Sequence, residues 1–124
     1  MDIVISNSSQ VALYEQIKNQ IRTQIVDGTL QGGDTLPSIR SLAKELKVSI
    51  ITVKRAYEDL EKEGLLETIV GKGTFISSKN KEILRDVMMY EIESKLEEII
   101  KQAKIIGITL EEGIEIFKNI YEEI

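Results

Sequence analysis

Leu13, Ile17, Ile21 and Ile25 recur at steps of four, with Tyr14 beside them, so residues 11–27 read as a helix with one apolar face. Gly28 follows as a left-handed stop, and Gly32-Gly33-Asp34 is a turn cluster. A second helical pattern, about 38–46, places Leu42, Ala43 and Leu46 inward and Arg40 and Lys44 outward. Pro37 suits its start, because a first-turn N–H has no partner there, and Ser38 suits its N-cap. Val48 fills a tight turn. Ser49 then caps a third helix that runs through Val53, Ala56, Tyr57 and Leu60 to about Glu63, where Gly64 ends it.

The period then changes from helical to extended. Residues 65–70 and 74–78 are β-branched or apolar and flank Gly71-Lys72-Gly73, which predicts a hairpin whose turn accepts positive φ. A helix is predicted over 81–106, about 26 residues and ~39 Å long. Ile92, Leu96, Ile99, Ala103 and Ile106 recur there at steps of 4, 3, 4 and 3, a coiled-coil-like seam. Gly107 breaks it. Thr109 with Glu112 makes a capping box for a last helix, about 110–123, that lines up Leu110, Ile114, Phe117 and Ile120/Tyr121. The expected architecture is mainly α with a small β-hairpin wing: a winged helix-turn-helix domain (1–80) followed by an αα-hairpin dimerisation tail (81–124).

Charge sharpens the picture. The formal net charge of −5 argues at first against a nucleic-acid partner. Residues 1–80 are neutral overall, however, and 81–124 carry the entire excess. Within 37–57, Arg40, Lys44, Lys47, Lys54 and Arg55 stand against Glu45 alone, a local +4. A remote acidic tail is screened over ~8–10 Å, so a cationic face remains able to bind DNA.

The chain has no Cys and no His, which removes a disulfide framework, thiolate metal sites and the commonest general base. No phosphate-binding loop with its Lys-Ser/Thr is present, so an enzyme is not expected, and neither a cofactor nor a metal is assigned. Glu91, Glu93, Glu97 and Glu98 read as a solvated acidic face in preference to a carboxylate metal site. No apolar run approaches the ~20 residues that span a bilayer, and MDIVISNSSQ lacks the layout of a signal peptide, which predicts a cytoplasmic protein without a membrane partner.

Tyr14-Glu15-Gln16-Ile17, Gly33-Asp34-x-Leu36-Pro37-Ser38-x-Arg40-x-Leu42-Ala43, Val48-Ser49-x-x-Thr52-Val53-x-Arg55-Ala56-Tyr57, Leu60-Glu61-x-x-Gly64 and Gly71-Lys72-Gly73-Thr74-Phe75 follow one another in order. Over about residues 10–77 they resemble the DNA-binding domain of GntR-type bacterial transcription regulators, and the short two-helix tail resembles the YtrA-type branch. The resemblance implies a regulator, a repressor by preference, that binds a palindromic double-stranded operator as a homodimer. It implies DNA contacts from Ser38, Arg40, Ser49, Ile50, Thr52, Lys54 and Arg55, and from the wing at Gly71, Lys72 and Gly73. Ile92, Leu96, Ile99, Ala103, Ile106, Ile114, Phe117 and Tyr121 form the expected dimer interface.

Each assignment has a plainer competitor. Arg40 and Lys54 also fit solvated surface charges, Ser49 a cap alone, and Gly71-Lys72-Gly73 a tight turn alone. Arg55 also fits an i+4 pair with Asp59. Pro is usual in the family where Gly32 stands, a loop difference expected to matter little. Ile50 and Ile51 stand where relatives commonly place polar residues. Isoleucine cannot donate to a guanine edge and can touch a thymine methyl. The same two residues support the competing reading, a winged-helix interaction scaffold without specific DNA binding. The sequence assigns no small-molecule effector.

Overall fold

The computed structural model describes all 124 residues as five helices and one two-stranded sheet. The elements are α1 (Leu13–Val26), α2 (Ile39–Leu46), α3 (Ile50–Lys62), β1 (Leu66–Ile69), β2 (Gly73–Ile76), α4 (Lys81–Ile105) and α5 (Leu110–Glu123). Two compact units are present, Met1–Arg85 and Asp86–Ile124. The division falls within α4, a few residues beyond the 80/81 boundary read from the sequence, because Leu84 is buried in the first unit.

Three interleaved four-residue registers organise α1. Ile17, Ile21 and Ile25 are buried, and each such side chain contributes about 1.5–3 kcal/mol by leaving water. Tyr14, Lys18 and Arg22 face α3, where they meet Arg55, Asp59 and Glu63 in the same order. Arg55 stacks 3.7 Å from the Tyr14 ring centroid, Lys18 pairs with Asp59 at 3.5 Å, and Arg22 grips the Glu63 carboxylate with two nitrogens. Matching i, i+4, i+8 rungs on both helices set how far α1 slides along α3.

Gln16, Gln20 and Gln24 form the third register, on another side of α1. Gln20 accepts from the Val4 N–H at 2.9 Å and donates to the Val4 carbonyl at 2.7 Å; Gln16 does the same for Ser6 at 2.8 and 2.9 Å. Gln24 donates to the Asp2 carbonyl at 2.7 Å. The first residues therefore run extended along α1, held at every second peptide. Alternation puts Ile3 and Ile5 against the protein and Val4 in solvent.

Antiparallel strands β1 and β2 pair from Leu66–Ile76 to Ile69–Gly73. The other edge of β2 is also occupied. Thr35 bridges Phe75, the Leu36 N–H donates to the Thr74 carbonyl at 2.9 Å, and the Ile76 N–H donates to the Asp34 carbonyl at 2.8 Å. The turn cluster ending at Asp34 and the residues after it thus act as a third extended segment, leaving β2 with no free edge here. The expected indifference of the chain to Gly32 is corrected at the same place. A Cβ on Gly32 would lie 2.6 Å from the Ser78 Cα, so a residue without a side chain lets the two backbones meet.

In the second unit, α4 continues to Ile105 and Gly107 turns the chain at φ 81°. Thr109 then caps α5, its hydroxyl oxygen accepting from the Glu112 N–H at 3.2 Å and donating to the Glu112 carboxylate at 3.1 Å. Phe117 and Tyr121 stack with ring centroids 6.1 Å apart. No residue from 86 to 124 is buried.

Candidate nucleic-acid interface

Helices α2 and α3 meet across Lys47, Val48 and Ser49. Ser38 caps α2, accepting from the Ser41 N–H at 3.1 Å, and Ser49 caps α3, accepting from the Thr52 N–H at 3.1 Å. Lys47 closes α2 in the left-handed region at φ 57°, the one non-glycine residue with positive φ. That conformation costs a β-carbon residue ~1–2 kcal/mol, and it swings the chain so that the Val48 N–H reaches the Ala43 carbonyl at 3.0 Å.

Packing fixes the angle of the pair. Leu42 and Ala43 from α2 and Val53, Ala56, Tyr57 and Leu60 from α3 are buried together. The Tyr57 hydroxyl donates to the Pro37 carbonyl at 2.8 Å, tying the middle of α3 to the approach to α2. Burial, with a smaller contribution from Glu45, pushes the Tyr57 phenol well above its ordinary pKa, so it remains a donor throughout the physiological range.

The outward side of the motif is cationic with an apolar tip. Arg40 stands exposed on the first turn of α2, and Lys44 and Lys47 are exposed farther along, none with an acidic partner. On α3, Lys54 pairs with Glu58 at 3.8 Å, both in solvent, a link worth only ~0.3–0.5 kcal/mol that a phosphate can displace. Ile51 is 77% exposed and Ile50 42%, the first two residues after the Ser49 cap. The Ser49 and Thr52 hydroxyls hydrogen-bond to each other at 2.8 Å.

Arg55 is placed differently from its neighbours. The alternative pair with Asp59 is not formed: Asp59 takes Lys18, and Arg55, expected as a DNA contact, lies on the Tyr14 ring, a contact of about 0.5–2 kcal/mol. That engagement turns Arg55 toward α1, away from Ile50 and Lys54. An i+4 spacing alone does not disclose such a competitor, because Tyr14 and Lys18 come from another helix.

At the wing tip Val70, Gly71 and Lys72 bridge the strands, with the Lys72 N–H donating to the Ile69 carbonyl at 2.9 Å. Gly71 at φ 80° and Gly73 at φ 116° supply the positive angles the turn requires. Lys72 is exposed and Val70 is 98% exposed. Lys44, Lys47, Ile51 and Val70 were not among the site residues read from the sequence. The first two were visible as part of the +4 window, and Val70 as an apolar residue beside a turn glycine.

No group of three His, Cys, Asp or Glu side chains is arranged to hold a metal ion, and no helix is long and apolar enough to cross a membrane. The family model for bacterial regulatory proteins of the gntR family matches residues 13–76. The chain is 37% identical over 122 residues to the HTH-type transcriptional repressor YtrA of Bacillus subtilis, covering 98% of this chain and 94% of that one. A GntR family transcriptional regulator from Listeria monocytogenes superposes with a TM-score of 0.76 at 32% identity, covering 93% of this chain and 98% of its own. The AraR DNA-binding domain in complex with operator ORX1 superposes with a TM-score of 0.55 at 26% identity, covering 62% of this chain and 96% of its own. With its winged helix-turn-helix and its matched residues spanning α1 to β2, the chain belongs to the GntR family of bacterial regulatory proteins, which are transcriptional regulators and not enzymes.

Proposed function

We propose that the protein is a repressor that binds a palindromic operator as a homodimer, each protomer laying the first turns of α3 in a major groove. The observation that carries this reading is that Arg40 and Lys44 on α2, Lys47 at its end and Lys54 on α3 are all exposed within one helix-turn-helix, whose third helix starts at an exposed, Ser49-capped end. Phosphate contacts from these cations, from Ser38 and from the Ser49–Thr52 cap position the helix, and α3 reads the bases. Lys72 and the glycines beside it bring the wing to the adjacent minor groove. Arg55 is omitted from the contact set, since it is engaged with Tyr14. A cytoplasmic location follows from a DNA partner.

The tail supports the dimer. Ile92, Leu96 and Ile99 on α4, Ile106 just beyond its end, and Ile114, Phe117 and Tyr121 on α5 are all exposed, with Ala103 half-buried in the same stripe. Most helical stability in proteins comes from packing an apolar face, and these faces are left uncovered within one chain. A second copy of the same unit offers a self-complementary cover. Two-fold symmetry then sets half-sites about one helical turn, ~34 Å, or a multiple apart.

Selection of random duplex DNA by the purified protein at about 150 mM salt tests the reading. An enriched inverted repeat is expected. If the dimer neutralises ~6–10 phosphates, affinity should fall ~10³–10⁵-fold between 50 and 200 mM salt. No enrichment and a flat salt dependence would favour the second reading, an interaction scaffold, for which the exposure of Ile50 and Ile51 is the specific support.

A further inference from the structure

We infer that Ile50 and Ile51 are the specificity-determining residues of α3 and that they read the 5-methyl groups of thymines; this rests on the DNA-binding reading above. Every other apolar residue of α3 (Val53, Ala56, Tyr57 and Leu60) is buried, so these two are not part of the core. Val53, Ala56 and Leu60 define the inward face, and at 100° per residue Ile51 stands opposite it, with Ile50 on one flank. Lys54 lies one turn farther on, between the two. The apolar tip thus has Lys54 beside it on α3, and the α2 half of the same motif adds the exposed cations Arg40, Lys44 and Lys47, a charge balance that suits a polyanion.

The hydroxyls of the first turn are held at the helix cap, where they serve a phosphate contact better than a base edge. The Ser49 oxygen accepts from the Thr52 N–H, and both hydroxyls are paired with each other. Arg55 is stacked on Tyr14. What projects from the start of α3 without a partner is therefore two branched hydrocarbon side chains with restricted χ1, beside Lys54 in its weak surface pair with Glu58. In the major groove the thymine methyl is the apolar group on offer. Isoleucine gains by covering it, and it penalises the alternatives. Over an adenine N6, a cytosine N4 or a guanine O6 it displaces water and returns no hydrogen bond. Each half-site should carry thymines at the two steps beneath the N-terminus of α3.

Deoxyuridine in place of thymine removes the methyl and leaves base pairing intact, which makes it the test. The full-length protein is titrated against its selected operator with each thymine replaced in turn. Substitution at two positions per half-site should weaken binding by about 4-fold each, the worth of one buried methyl-sized group. In Ile51→Ala and Ile50→Ala, both exposed changes that leave the core intact, the deoxyuridine penalty should vanish at one position each. Tight binding of the unsubstituted operator with no deoxyuridine effect, or the same penalty in wild type and variants, overturns the inference and leaves DNA binding standing. Failure to enrich any operator overturns both.

Discussion

Tyr57 and Pro37 are joined by a hydrogen bond of 2.8 Å, phenol to carbonyl, that fixes the approach to α2 against the middle of α3. Pro37 has no N–H of its own to offer, so its carbonyl is the one backbone group through which this residue can be tied down. Tyr57→Phe keeps the buried ring and leaves the carbonyl without its donor. It should destabilise the domain by about 1–2 kcal/mol in denaturant unfolding, with the same m-value.

The same phenol sets an alkaline limit. Its folded-state pKa lies above the unfolded value of about 10, so the folded form holds the proton more tightly. The contribution is fully present below pH 10 and is lost above it, as the unfolded tyrosine ionises and draws the equilibrium. Stability should be flat with respect to this group from pH 7 to 9 and then fall by up to about 1.4 kcal/mol per pH unit. Tyr57→Phe should lack that component; an identical alkaline limb in both proteins would assign it to other groups.

Lys47 joins a backbone strain to a proposed phosphate contact. Lys47→Gly relieves the left-handed conformation and should stabilise the fold by about 0.5–1 kcal/mol, less than the full strain because glycine is freer when unfolded. Operator affinity should fall uniformly across sequences, with a salt slope shallower by about 1. Lys47→Ala is the control: it loses the charge and keeps the strain, so it should weaken DNA binding without the gain in stability.

Arg40→Ala should weaken operator binding by about 1–3 kcal/mol while thermal unfolding is unchanged, because the side chain is exposed and has no partner in the protein. Affinity equal to wild type would make Arg40 a surface charge.

Much of the first unit was legible because its instructions are local. The four-residue step of Ile17, Ile21 and Ile25, the caps at Ser38 and Ser49, and the stop at Gly64 each act within one helical turn, and the predicted helices end within two residues of those observed. What was not legible depends on segments that meet only after folding. Nothing near Gln16, Gln20 or Gln24 in sequence announces the peptides of Asp2, Val4 and Ser6. Arg55 and Asp59 satisfy an i+4 rule and yet both turn to α1, where Tyr14 and Lys18 wait. Gly32 matters because of Ser78, forty-six positions away. In the helix-turn-helix, the cations could be read from charge and the outward placing of Ile50 and Ile51 from their positions on α3, whereas the engagement of Arg55 with Tyr14 could not.

Leu96 tests the proposed seam most directly. It is the second member of the 92–106 stripe and keeps 39% of its surface in solvent, with Glu93 and Glu97 nearby in sequence. In a free helix, Leu96→Glu exchanges one exposed side chain for another with good helix propensity, so the first unit should fold as before. In a dimer it places a carboxylate in each half of an apolar interface, near its own symmetry mate, where an unpaired buried charge costs several kcal/mol. Sedimentation should therefore show a monomer, with an unchanged unfolding transition for the winged domain. Operator binding should lose its two-site character and drop toward the affinity of a single half-site. A variant that still sediments as a dimer would remove Leu96 from the interface and shift the search to α5, where Phe117 and Tyr121 present the larger exposed surface.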